Sequence, residues 1–177
     1  MLDLGTFGGD SSAGSAVNDN GQVAGYVYRS DGAFHAFTSQ GQRLTDLGTL
    51  GGDFSAAYAI NSVGQIAGEA YTAQNMGTHA FLYSGGRMID LGSLGSYARA
   101  LAINGNGVVV GQSDVPSKSY SMVYHAFIYS GGKMRDLNSM IGSGSGWVLN
   151  AATGINDAGQ IVGYGTKNGH QRAFLLQ

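Results

Sequence analysis

The chain of 177 residues carries 43% hydrophobic side chains, which supports one domain with a packed core and leaves too little chain for two comfortable ones. Charged residues are only 11% and the net charge is −2, which argues against a nucleic-acid or anionic-membrane surface, since those need clustered Lys and Arg. No run approaches the ~18 consecutive apolar residues of a membrane span, cysteine is absent, and 31 glycines with one proline and no Gly-X-Y period exclude a collagen or a proline-rich linker.

The chain opens Met1-Leu2-Asp3-Leu4-Gly5 with no basic-then-apolar leader, so any export signal is expected outside it. Leu2-Asp3-Leu4 reads as a short strand, and Asp-Leu returns at Asp46, Asp90 and Asp136, at spacings of 43, 44 and 46. Ala16-Val17 then leads into Asn18-Asp19-Asn20-Gly21; Asn recurs at 61, 104 and 156, each with a glycine three positions on (Gly64, Gly107, Gly159). Asn and Gly suit the positive φ of hairpin turns. A second strand, Gln22 to Tyr28, carries Gly25, repeated as Gly68, Gly111 and Gly163. A third, Phe34-His35-Ala36-Phe37, repeats as His79-Ala80-Phe81 and His125-Ala126-Phe127, with Arg172-Ala173-Phe174 as an altered last copy. It turns through Gln40-Gly41 into a fourth strand, Arg43 to Leu47. No run holds the 3.6-residue periodicity of a helix.

Four anchors kept in order through four copies predict an all-β fold: a β-propeller with four blades of four antiparallel strands. The units are approximately 3–45, 46–89, 90–135 and 136–177, forming one domain over 1–177. The phase predicts closure as well, because the chain starts on a fourth strand and ends on a third. Residues 2–4 are therefore expected to complete the last blade and close the ring. Small residues on one face of each first strand (Gly14, Ala57, Ala100, Ala152) against Val17, Ile60, Ile103 and Ile155 on the other suit an innermost position.

Asp46 to Gly52 with Ala59-Ile60-Asn61, Gly64-Gln65-Ile66-Ala67-Gly68 and His79-Ala80-Phe81 resembles the bacterial HAF repeat, a family of extracellular repeat proteins named for the His-Ala-Phe triplet. The resemblance covers essentially the whole chain, and the last unit, Gly146 to Leu176, looks like the family's C-terminal copy. It departs from the pattern at Arg172, where His is expected. The resemblance implies a bacterial protein secreted to the extracellular space or the periplasm, built as a repeat array, and implies no activity or cofactor.

Residues recurring in every blade are expected to build it. His35, His79 and His125 lie on equivalent strands, so a shared metal is not expected; hydrogen bonds to Asp46, Asp90 and Asp136 are. Asn18 to Gly21 lacks the alternating ligands and distal Glu of a calcium loop and reads as a turn. No nucleophile elbow, phosphate loop or zinc motif occurs. Length variation falls on one face: the insertion Ser113 to Tyr124, the milder Tyr71 to Thr78, and the crossing Met140 to Ala151 with the sole tryptophan. That distribution suits binding loops on a fixed scaffold. Asp10, Asp53, Phe54, Tyr97, Arg99 and Trp147 on the crossings, with Tyr120 and Tyr124 (and Lys118 and His170) on the outer loops, form the candidate ligand-binding set. Aromatics with few charges suit a glycan, a peptide or a protein surface; Trp147 has a second reading, as a plug of the channel or cap of the last blade. The sequence therefore predicts a non-catalytic binding module without cofactor or metal, monomeric or homodimeric. Two alternatives stand beside it: a hydrolase using Asp10 and Asp53, which requires carboxylates ~5–10 Å apart, and a structural array whose four units form part of a larger ring by oligomerisation.

Overall fold

In the computed structural model, which describes residues 1–117 and 122–177, the chain is all β apart from two short 3₁₀ turns, Ala73–Asn75 and Leu137–Met140. The first unit is the meander β1 (Gly8–Val17), β2 (Gln22–Arg29), β3 (Phe34–Gln40), β4 (Arg43–Gly48). The second is β5 (Gly51–Ile60), β6 (Ile66–Thr72), β7 (Thr78–Ser84), β8 (Arg87–Gly92). The third is β9 (Ala98–Ile103), β10 (Val109–Val115), β11 (Val123–Ser130), β12 (Lys133–Asp136). The last has three strands, β13 (Trp147–Ile155), β14 (Ile161–Lys167) and β15 (His170–Leu176). Each unit is an antiparallel sheet of the blade type, with strands in sequence order. A single parallel bridge, Phe34 to Phe54, joins the first two into one sheet.

The repeated glycines explain the local geometry. Gly21, Gly64, Gly107 and Gly159 have φ between +73° and +82°, the left-handed turn conformation expected of them. Gly68 answers a different need. A Cβ there would lie 2.0 Å from the Ala56 carbonyl oxygen, because the bulge in β5 brings the two backbones together.

Blades pack face to face through a repeated set of side chains. Ala24, Ala36 and Leu47 of the first blade meet Ala57, Ile66 and Phe81 of the second. Ala67, Ala80, Leu82 and Leu91 meet Ala100, Ile103, Val109 and Phe127. Val110, Ala126 and Leu137 meet Leu149, Ala152, Ile161 and Phe174. A row of amides runs alongside. The Asn18 side-chain amide donates to the Asn61 carbonyl, Asn61 to that of Asn104, and Asn104 to that of Asn156, each at 3.0 Å.

The expected closed ring of four quarter-turn blades is not what the chain builds. Among the described residues no sheet is closed, and residues 1–7 form no strand and do not complete the last blade. Gly5, at φ +81°, turns the segment onto its own first blade, where the Ser12 hydroxyl donates to the Gly5 carbonyl (2.8 Å). The wedge between blades is also too shallow for closure by four. The outermost strands β4, β8 and β12 come within 8 Å of one another in succession, whereas a quarter-turn would part strands lying three 4.8 Å steps from the hub by about 20 Å. The result is an open row of four blades.

Candidate functional site

The expected histidine bonds are present. His35 Nδ1 lies 2.8 Å from Asp46 Oδ1, His79 Nδ1 2.9 Å from Asp90 Oδ1, and His125 Nδ1 2.6 Å from Asp136 Oδ2. The same carboxylates accept the backbone N–H two residues on, from Gly48, Gly92 and Asn138. Each pair therefore pins a third strand to the end of a fourth. Among the described residues no three His, Cys, Asp or Glu side chains gather around a common point. Burial pushes the Asp46 carboxyl upward, but the Gly48 N–H, His35 and Arg29 outweigh it and hold it below the usual carboxylate range.

The candidate residues fall on one face of the row, at the starts of the first and third strands and the ends of the second, and they separate into three groups. Phe54 belongs to an aromatic row across the first two blades. Tyr26 and Tyr28 pack on Phe34 at 5.2 and 5.7 Å, Phe34 stacks on Phe54 at 6.0 Å, and Phe54 meets Tyr71 at 4.8 Å. Tyr71 pairs across the sheet with Thr78, which is bridged in turn to Tyr97. Backbone pairing through Thr78, rather than ring contact, thus connects the row to the second group.

That second group is a polar knot between the second and third blades. Glu69, the chain's sole glutamate, is nearly sealed from solvent, its side chain 3% exposed. Its Oε1 accepts from the Tyr58 hydroxyl at 2.6 Å and from Arg99 Nη2 at 2.9 Å. The guanidinium lies over the Tyr58 ring at 5.1 Å and the Tyr97 ring at 6.0 Å, and Tyr124 meets Tyr97 edge-on at 5.8 Å. Tyr97 is held in place because the Asp114 carboxylate accepts the backbone N–H of both Ser96 and Tyr97 at 2.8 Å. A charge buried this deeply is tolerated only when paired and hydrogen-bonded. Burial, with the Glu69 charge adjoining, pushes the Tyr58 and Tyr97 phenols well up, so both remain protonated donors. Burial works against the Arg99 charge, and Glu69 more than restores it. Two buried atoms of the knot, Glu69 Oε2 and Arg99 Nε, have no hydrogen-bond partner among the described residues.

The knot is where the repeat breaks. Cross-strand register aligns Glu69 with Tyr26, Gln112 and Tyr164, and Arg99 with Ala13, Ala56 and Ala151. Arg99 stood in the sequence-derived set; Glu69, Tyr58, Tyr71, Tyr26, Tyr28 and Phe34 did not. A lone glutamate opposite an alanine-to-arginine change in the next unit was the available signal.

Trp147 forms the third group, apart from the others. It stands edge-on to Phe174 at 6.4 Å with Lys167 Nζ 5.4 Å above its ring, and lines a cleft of about 230 Å³ with Ile141, Leu149 and Leu175. The cleft borders β15, so Trp147 sits as the cap of the last blade. Asp10 and Asp53 are exposed at equivalent positions of β1 and β5, and neither carboxylate has a hydrogen-bond partner among the described residues. Nothing among those residues holds them as a pair. Tyr120 and Lys118 lie outside the described residues, and His170 is exposed at the start of β15.

No protein-family model matches the chain, and no curated protein matches it. Among solved structures it is similar to the β-propeller domain of the Trilobed protease from Pyrococcus furiosus, described as having an open velcro topology. The identity is 12% and the TM-score 0.44, over 93% of this chain and 68% of that one. No functional property passes from that domain to this chain. Among the described residues, no helix is long and apolar enough to cross a membrane.

Proposed function

We propose that the chain is a non-catalytic binding module of an exported bacterial protein, as its resemblance to HAF repeats implies, and that its ligand is a neutral, extended glycan. The observation that carries this reading is a pair of partly exposed ring groups on one face, the row Tyr28, Phe34, Phe54 and Tyr71, and Tyr97 with Tyr124 beside the Glu69–Arg99 knot. Flat apolar faces receive the faces of sugar rings, while a few fixed polar groups read hydroxyls. A chain with 11% charged residues offers little to a phosphate or a polyanion. The knot supplies its polar capacity through the Arg99 side chain, which is 37% exposed, while the sealed Glu69 holds that side chain in place.

The test is a glycan array followed by calorimetry on the hits, with Phe54→Ala, Tyr97→Ala and Trp147→Ala compared with the parent. Loss of a single ring from either of the two ring groups should weaken binding by about five- to a hundredfold, from about 1–3 kcal/mol of stacking and burial. Trp147→Ala should leave affinity unchanged, because that ring belongs to the last blade's packing. A hydrolase panel on the parent and Asp10→Asn should show no turnover. Turnover lost in Asp10→Asn would replace this reading with the carboxylate hydrolase.

A further inference from the structure

We infer that the two ends of the row are complementary halves of one blade interface, and that a second copy of the chain docks head to tail, its N-terminal segment completing the last blade. The face that each blade presents to its successor is buried wherever a successor exists. Val110 is fully buried at this position, but its counterpart Val162 is 46% exposed. Ala36, Ala80 and Ala126 are fully buried, while Ala173 is exposed. Leu82 is 9% exposed and its counterpart Leu175 54%. At the other end Val17, which stands where Ile103 is buried, is 66% exposed. The same interface forms three times inside the chain, so the chain itself shows what fits each free face.

The N-terminal segment already has the shape of a fourth-strand end. The Gly5 N–H donates to Asp3 Oδ1 at 2.9 Å, as Gly48 does to Asp46 (2.8 Å) and Gly92 to Asp90 (2.7 Å). Gly5, Gly48 and Gly92 share φ of +81°, +75° and +78°. In the complete blades that strand pairs with the third strand, Phe37 opposite Asp46 and Phe81 opposite Asp90. In the last blade β15 is an unpaired edge among the described residues. Carrying the register across sets Phe174 opposite Asp3 of a second copy, and Leu175 opposite its Leu2.

Charge supplies an independent argument. Where three blades pair His35, His79 and His125 with their aspartates, the last blade has Arg172, whose guanidinium donates to the carbonyl of neighbouring Gln171 and forms no ion pair among the described residues. Docking brings Asp3 of the second copy beside Arg172, an Arg–Asp pair in place of His–Asp. It also lets the exposed Asn156 amide reach the Asn18 carbonyl of that copy, adding the next rung to the asparagine row. Pairing of a free strand edge by an extended segment is a common mode of association.

The test is light scattering after size exclusion on the whole chain, with Asp3→Arg and Arg172→Asp made separately. Both positions are exposed, and circular dichroism checks that each variant stays folded. The parent should run at twice 18.2 kDa or above, each variant alone at the single-chain mass, and the equimolar mixture at the parental mass again. Restoration is expected because the arginine introduced by Asp3→Arg then meets the aspartate introduced by Arg172→Asp on the other chain, while the native pair forms at the opposite interface. A parent of single-chain mass at every concentration overturns the inference. So do variants that stay assembled, or a mixture that fails to recover.

Discussion

Asp46 shows how one side chain does several jobs in a blade. Its carboxylate accepts the Gly48 N–H and faces both His35 and Arg29, joining the third strand to the turn that leaves the fourth. Because these partners lower its folded pKa, it contributes stability that is fully present above the ordinary carboxylate value of about 4 and lost as pH falls through the depressed one. Asp46→Asn should therefore cost about 1–2 kcal/mol near neutral pH. The gap between parent and variant in urea unfolding should shrink as pH drops below about 4 and vanish once the parent's carboxyl is protonated. A gap that stays constant down to the acid unfolding of the parent would show that the charge is irrelevant. The pairing of each histidine with an aspartate was legible in the sequence, because both recur at a fixed distance in three units and a bond within the blade is the simplest use of that recurrence. Glu69 was not legible as a site residue. Its significance lies in meeting Arg99 across a blade boundary while Tyr58 of its own blade holds it, and spacing along the chain carries no information about which faces oppose.

At the scale of strands and blades, turn chemistry and alternation identified the repeating meander, and the strands lie where the Asn-Gly turns require. The recurring asparagine, however, does more than turn. Asn61 Oδ1 accepts from Val63 and Gln65, and its amide donates to Gln65 and to the Asn104 backbone, so its side-chain hydrogen-bonding capacity is satisfied across two blades. A turn-forming residue and a blade-joining residue look the same in one dimension, which hid the second role. Removing it strands two turn N–H groups and takes one of two donors from the Asn104 carbonyl, which keeps the Gly107 N–H, so Asn61→Ala should cost about 1–3 kcal/mol. With both substitutions made in the Asp3→Arg background, which keeps the chain single, Asn156→Ala should cost clearly less, since Asn156 is exposed and no blade follows it among the described residues. Denaturant midpoints of the two variants measure the difference, and equal losses would reduce the asparagine to its turn role alone. The aromatic row is likewise a property of the blades together. Phe34 and Phe54 become neighbours only through the single parallel bridge between the first two sheets.

At the scale of the whole molecule, the repeat count predicted a ring and the packing produced a row. Counting blades says nothing about the angle between them, which is set by the side chains filling each interface from hub to rim. Here Leu82, Leu91, Ile103 and Phe127 and their counterparts fill the interface with the outermost strands still close together, so four blades end well short of a full turn. The consequence is a molecule with a buried-type face at one end and its complement at the other, an arrangement that favours head-to-tail assembly. The most direct measurement uses the absence of cysteine from the chain. In the double variant Leu2→Cys, Leu175→Cys, the two thiols stand opposite each other in the register carried over from the complete blades. Mild oxidation followed by non-reducing electrophoresis and mass spectrometry should reveal a disulfide joining two different chains. A disulfide closed within one chain, leaving the single-chain mass, would contradict the open row and restore the closed ring.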